Sequence, residues 1–293
     1  MPFERLSDDH EPRSAEIFLD TSIHCSRLKG SLFHERIEQV LGLFQWTCTS
    51  TYTKVEFGNV VLAQAEYFLG KLEDLNSLEA TLDFIGNVLP HRLHPAKVTW
   101  SFNLLWQLGQ DDPECTERAK LSLRRLMKLG VGFVEERCDR PLRDGTECYW
   151  AKRGVHKRRD GRLEWQAPKC ERKRKRCRID EFFSANKEKF ERIKNSIDTL
   201  DENAKTTQLR DFSSLIGEAL QDPGVLLNYR SGRKRLADAI IAVDSDGYKN
   251  LFSQNIKESE VLTAALAQNF YYLPPNPDQG VLVQLSPTQA NDD

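Results

Sequence analysis

Three side chains able to do chemistry, Asp20, Thr21 and Ser22, follow directly on the apolar run Ile17-Phe18-Leu19. Such a run, bounded by polar residues, predicts a short strand over 16–20, buried on both faces of a parallel sheet. Open α/β sheets take their ligands just beyond the carboxyl ends of strands, so Asp20 stands where a carboxylate can meet a ligand or a cation. The plainer reading is an Asx turn in which Asp20 leads into the next helix. A second polar cluster follows Leu251-Phe252, with Ser253, Gln254 and Asn255 at a strand end and Glu258 three residues on. Asp238 opens the apolar stretch Ala239-Ile240-Ile241-Ala242. Four cysteines, Cys138, Cys148, Cys170 and Cys177, share a lysine- and arginine-rich segment, where four thiolates would suit a tetrahedral zinc.

The elements that must position these groups are mainly helical. The spacing of apolar residues predicts a helix over 32–44 and a long one from about Val55. Asp112-Pro113 is a helix start and Gly130 a stop, which predicts a helix over 113–129. Two more are expected in IDEFFSANKEKFERIKNSIDTL and in TQLRDFSSLIGEALQ, the latter ending at Asp222-Pro223-Gly224. Leu251-Phe252-Ser253 reads as a strand. AIIAVD is either a helix leading to a polar turn at Ser245-Asp246-Gly247 or a strand ending in Asp244; the LFSQN run that follows favours the turn. The last stretch, PPNPDQGVLVQLSPTQANDD, reads as a mostly unstructured tail.

In order and spacing these motifs resemble the PIN-like nuclease family. Its opening strand ends in Asp-Thr/Ser-Ser, matched by Asp20-Thr21-Ser22. Its second acid, near a helix start, is matched by Glu56 in TSTYTKVEFGN, and its Asp-Ala-Ile-Ile-Ala helix by the letters from Asp238. Its last strand end is similar to SQNIKE at Ser253, Asn255 and Glu258. The family often has an aspartate where this chain has Asn255, so the fourth metal contact is neutral or shifted to Glu258. The interval from Glu56 to Asp238 is much longer than in a minimal PIN domain.

The resemblance implies a three-layer α/β/α domain with a central parallel sheet. Its two parts, 14–110 and 180–275, flank a basic four-cysteine insertion at 111–179 of zinc-ribbon type, and a flexible tail at 276–293 follows. It also implies a metal-dependent nuclease. Asp20 and Asp238 would ligate magnesium or manganese, and Glu56 would be a ligand or the base. Thr21, Ser22, Ser253 and Asn255 would orient water or phosphate, with Glu258 beside them. The plain readings are a first-turn helix acid for Glu56 and an N-cap for Asp238. An endoribonuclease, of a bacterial toxin or defence system, is the expectation for this family. The alternatives are a non-catalytic PIN-like nucleic-acid-binding or scaffold protein, or a structure-specific DNA nuclease.

Net charge is only −2, but residues 137–178 hold sixteen Lys or Arg against six Asp or Glu, leaving −12 for the rest of the chain. Within this segment Arg158, Arg159 and the run Arg172-Lys173-Arg174-Lys175-Arg176 are candidate phosphate contacts, with Trp150 and Trp165 as stacking planes. The competing reading is a solvated face or a targeting signal. For the cysteines it is four reduced thiols, and His156 or Cys115 could replace one zinc ligand. Cys25 and Cys48 look like core residues. The start, MPFERLSDDHEPRSAE, has no apolar signal core, and no run approaches a membrane span. The expectation is a cytoplasmic protein without a membrane partner, binding RNA rather than DNA, with a protein partner or a second copy also open.

Overall fold

In a computed structural model the described residues are 4–6, 11, 14–28, 34–87, 116–140, 145, 155–166, 178–228, 236–274, 276 and 279–284. The chain divides into two units. The first comprises Met1–Lys54, Glu135–Ala151 and Lys169–Asp293; the second comprises Val55–Val134 and Lys152–Pro168.

The first unit is a helix-rich α/β domain built on a six-stranded sheet. Its strands are β1 (Glu4–Arg5), β2 (Glu16–Leu19), β3 (Trp46–Cys48), β6 (Asn250–Ser253), β7 (Asn269–Tyr272) and β8 (Leu282–Gln284), in the order β1-β8-β7-β6-β2-β3. From β3 to β7 all neighbours are parallel, with Phe18 opposite both Cys48 and Leu251, and Phe252 opposite Tyr271. Strands β8 and β1 close one side antiparallel. The continuous apolar run at 17–19 is explained by this topology, because β2 lies inside the parallel region with apolar layers on both faces. Phe18 and Leu251 face one core, and Ile17, Leu19, Phe252 and Tyr271 face the other.

The second core is closed by α1 (Thr21–Ser26) and α2 (His34–Leu41), through Ile23, Ile37 and Val40. The first is closed by α7 (Ile179–Ala185), α8 (Lys187–Asp198), α9 (Thr207–Gln221), α10 (Val225–Asn228), α11 (Ala237–Ser245) and α12 (Ile256–Ala265). Helix α9 spans the predicted TQLRDFSSLIGEALQ. Thr206 is its N-cap, accepting the Leu209 N–H at 3.1 Å.

The predicted long helix from about Val55 is in fact α3 (Thr51–Phe57), a π-helical turn at Gly58–Leu62 and α4 (Ala63–Leu75). Helix α4 ends at Asn76, whose φ of 48° gives the left-handed cap that asparagine tolerates. In the second unit α4, α5 (Leu78–Asn87) and α6 (Thr116–Glu136) pack Phe68, Leu72, Ile85, Leu123 and Met127 together. The hairpin β4 (Val155–Lys157) and β5 (Leu163–Trp165) adds Val155 and Leu163 to this cluster.

Several sequence expectations are corrected. Gly130 does not stop its helix: α6 runs on to Glu136, and a Cβ at Gly130 would lie 2.5 Å from Leu62 Cδ2, so the glycine serves close packing. The expected start at Asp112-Pro113 lies outside the described residues. The stretch IDEFFSANKEKFERIKNSIDTL is two helices that meet at Asn186. Of the two readings of AIIAVD the strand ending in Asp244 is the one overturned: the stretch is helical in α11, with Asp244 buried in its last turn and a 3-10 turn at Asp246–Tyr248 following. Within the supposed tail, Leu282–Gln284 pairs with β7 because Val281 and Val283 are buried in the second core.

Candidate strand-end site

Asp20 continues β2 by one residue, its N–H bonded to the Phe252 carbonyl at 3.0 Å. Its extended backbone makes it the N-cap of α1, with the Ser22 N–H 3.4 Å from Oδ2. That oxygen also accepts hydrogen bonds from Ser22 Oγ at 2.7 Å and from Ser253 Oγ at 2.8 Å. Each serine oxygen accepts a backbone N–H in turn: Gln254 N to Ser22 at 2.9 Å and Asn255 N to Ser253 at 3.0 Å. On the other side of β2, Thr49 Oγ1 donates to the Leu19 carbonyl at 2.8 Å. The Asx-turn reading and the site reading are thus both embodied in one residue. The hydroxyl hydrogens of Ser22 and Ser253 are spent on fixing one oxygen of Asp20, while Oδ1 takes no hydrogen bond from a described residue. Thr21 is buried.

The remaining acids are placed differently. Asp238 is the second residue of α11, half-buried, and accepts a hydrogen bond from Gln208 Nε2; the N-cap position is Leu236. Glu258, in the first turn of α12, is buried and accepts the Thr206 hydroxyl at 2.8 Å. Since Thr206 caps α9, Glu258 ties two helices together. Asn255 occupies the N-cap position of α12 without using its side chain as a cap. Glu56 lies on α3, half-buried, in the part of that helix belonging to the second unit. Among the described residues no group of three or more His, Cys, Asp or Glu side chains is arranged to hold a metal ion.

Of the basic segment, Arg158, Arg159, His156 and Trp165 are described. Arg158 is held by Glu164 through two 2.9 Å hydrogen bonds, and that pairing raises its pKa and lowers that of Glu164. Arg159 and His156 are exposed. Trp165 pins its hairpin: Nε1 donates to Asn59 Oδ1 at 3.1 Å and the backbone N–H to Glu66 at 2.8 Å. The indole lies where a Cβ on Gly58 would come within 2.3 Å of it, so it packs within its own unit. Cys138 is half-buried, and burial pushes its thiol up to about 12. Cys48 is buried, as a core residue should be, while Cys25 is intermediate. Cys115, Cys148, Trp150, Cys170, Cys177 and the run Arg172-Lys173-Arg174-Lys175-Arg176 lie outside the described residues.

The sequence reading missed Gln208 and Thr206. For Thr206 the signal was present, a threonine directly before the helical period of α9; nothing local pairs it with Glu258. No protein-family model matches the chain, and neither the curated proteins nor the solved structures show a significant match.

Proposed function

We propose that the chain is a metal-dependent nuclease acting on single-stranded RNA, with Asp20 at its centre. One observation carries the reading: Asp20 stands at the carboxyl end of a central parallel strand with Oδ2 fixed by two serines and Oδ1 left open. Magnesium keeps several waters and binds through one or two carboxylates together with substrate phosphates. A site with one oriented carboxylate oxygen fits that manner of binding, and does not fit an all-protein cage. Asp20 would hold the magnesium or manganese ion, with Asn255, anchored to Ser253 by its N–H, and the acid Asp238 as the further groups the motif order suggests. The ion would supply charge stabilisation at the phosphoryl group. Glu258 is better suited to holding α9 against α12 than to touching a metal. The choice of RNA, and of a toxin or defence role, follows from the family resemblance.

A second reading, a non-catalytic nucleic-acid-binding or scaffold protein, is favoured by the absence of three convergent acids among the described residues and by the neutral Asn255. Incubation of purified protein with single-stranded RNA and DNA, in magnesium, manganese or chelator, separates the two. Metal-dependent cleavage abolished by Asp20→Asn supports hydrolysis; binding without cleavage in either metal supports the second reading.

A further inference from the structure

A groove of about 760 Å³ opens in the first unit between the end of α8 and the loop after it, the first turn of α9, α12 and the end of β8. Leu200, Val261 and Ala264 give it apolar surface, while Lys205, Arg210 and Lys257 bring positive charge from both sides. Two of the cations share one counter-charge: Glu202 accepts from Lys205 Nζ at 2.6 Å and lies 3.6 Å from Arg210 Nε. Arg210 also donates to the Glu202 carbonyl at 2.8 Å, and Lys205 to that of Asp198 at 3.3 Å, so both heads are held in place. Lys257 is exposed and has no ion-pair partner among the described residues. Glu260, the acid in the lining, faces Gln284 Nε2 at 3.4 Å. Among the lining residues three cations stand against one carboxylate, Glu260; Glu202 pairs two of the cations from outside the lining, and Asp198 and Glu258 lie behind the walls. The hydrogen bond from Thr206 to Glu258 fixes one wall against the other. The volume falls in the range of pockets that enclose small organic ligands.

Lys257 also stands two residues after Asn255, on the helix that starts at the strand-end site. From there to Ala264, α12 runs for about 10 Å, so one helix joins Asp20's surroundings to the groove. We infer that the groove seats one nucleotide of a single-stranded nucleic acid whose neighbouring phosphate lies at Asp20. Lys205, Arg210 and Lys257 meet its phosphate, and Leu200, Val261 and Ala264 meet its base and sugar. The path of the strand rests on the nuclease reading; binding in the groove does not require hydrolysis.

The test is fluorescence anisotropy of a short labelled single-stranded RNA, in chelator, over a series of salt concentrations. Replacing Lys205, Arg210 and Lys257 together with glutamine should weaken binding about tenfold at fixed salt and reduce the salt slope by about 2, at about 0.7 per lost contact. Because Lys205 is largely enclosed, the exposed Lys257→Gln is made alone as well, with a slope change of about 0.7 expected. Unchanged affinity and slope in Lys257→Gln and in the folded triple variant overturn the inference, as does a wild-type protein that binds no RNA. Displacement of the strand by equally tight adenosine 5′-monophosphate overturns the strand assignment in favour of a free nucleotide. Cleavage by wild type is scored separately: groove-dependent binding without cleavage keeps this inference and removes hydrolysis, whereas cleavage with unaltered variant affinity does the reverse.

Discussion

Ser253 and Asp20, 233 positions apart in the sequence, are joined by a 2.8 Å hydrogen bond from hydroxyl to carboxylate. The parallel pairing of β2 with β6 brings the two strand ends together, and the same hydroxyl oxygen accepts the Asn255 N–H. Ser253→Ala removes a donor from a carboxylate and an acceptor from a backbone N–H in one step. We expect it to cost about 1–3 kcal/mol in urea unfolding and to slow cleavage under conditions where the variant is fully folded. Unchanged stability would mean that water replaces the hydroxyl and that the serine does not organise the site.

Asp20→Asn keeps the shape of the side chain but loses the charge a cation needs. Cleavage should fall by at least about a hundredfold, a few kcal/mol of transition-state stabilisation, with little change in melting temperature. Asp238→Asn should act in the same direction if the order of motifs reflects one site. Asp244→Asn, buried in α11, should change stability and leave the cleavage rate of folded protein intact. An Asp20→Asn protein cutting at the wild-type rate would remove this carboxylate from the chemistry.

Features set by local pattern were legible. The apolar run before Asp20 and the threonine before α9 each announce a boundary without help from distant residues. What escaped was set by partners far along the chain. Gly130 looks like a stop, yet the helix runs through it, and its missing Cβ leaves room for Leu62. Trp46–Cys48 is too short to show alternation, and its pairing with β2 makes it a strand. Leu282–Gln284 looked like tail because only the cross-strand register with β7 and the buried Val281 and Val283 order it. For the candidate site, the strand-end carboxylate and its serines could be read from spacing. The use of Glu258 by Thr206 and of Asp238 by Gln208 could not, since helix packing decides which acid meets which donor.

Gly58 and Trp165 offer a test of the second unit. A methyl group at Gly58 would overlap the indole, with Cζ2 at 2.3 Å and Cη2 at 2.4 Å. Gly58→Ala should therefore destabilise by about 1–3 kcal/mol, the usual cost of overpacking, and alter Trp165 fluorescence as the ring leaves its place by Asn59. Adding Trp165→Ala should make the Gly58→Ala change nearly neutral, which a double-mutant cycle measures. A cost that persists in the Trp165→Ala background would locate the strain elsewhere.

The cysteine expectation is decided by metal analysis. If Cys138, Cys148, Cys170 and Cys177 hold zinc, reduced protein should carry about one zinc per chain. Cys138→Ser and Cys170→Ser should each lose it, and a chelator should make the segment more open to protease. Zinc-free, reduced and fully folded protein would identify these residues as ordinary thiols.

His24 sets a pH dependence whose sign can be worked out. It is completely buried in α1, and among the described residues neither ring nitrogen has a hydrogen-bond partner. Burial foremost, and then the positive charge of Arg27, lower its pKa to about 3. In the unfolded chain it titrates near its ordinary value of about 6.5, so between these limits the unfolded state binds one more proton than the folded state. Stability from this residue is therefore whole above about pH 6.5 and is lost as the pH falls, by about 1.4 kcal/mol per unit once well below that value. Carboxylates elsewhere add their own slope, so the informative quantity is a difference. His24→Leu should remove this part of the slope and lose about 2 kcal/mol less than wild type between about pH 7 and pH 5. Urea unfolding at several pH values measures both curves. Parallel curves would show that His24 takes up its proton in the folded protein, which requires a partner or water at one of its nitrogens.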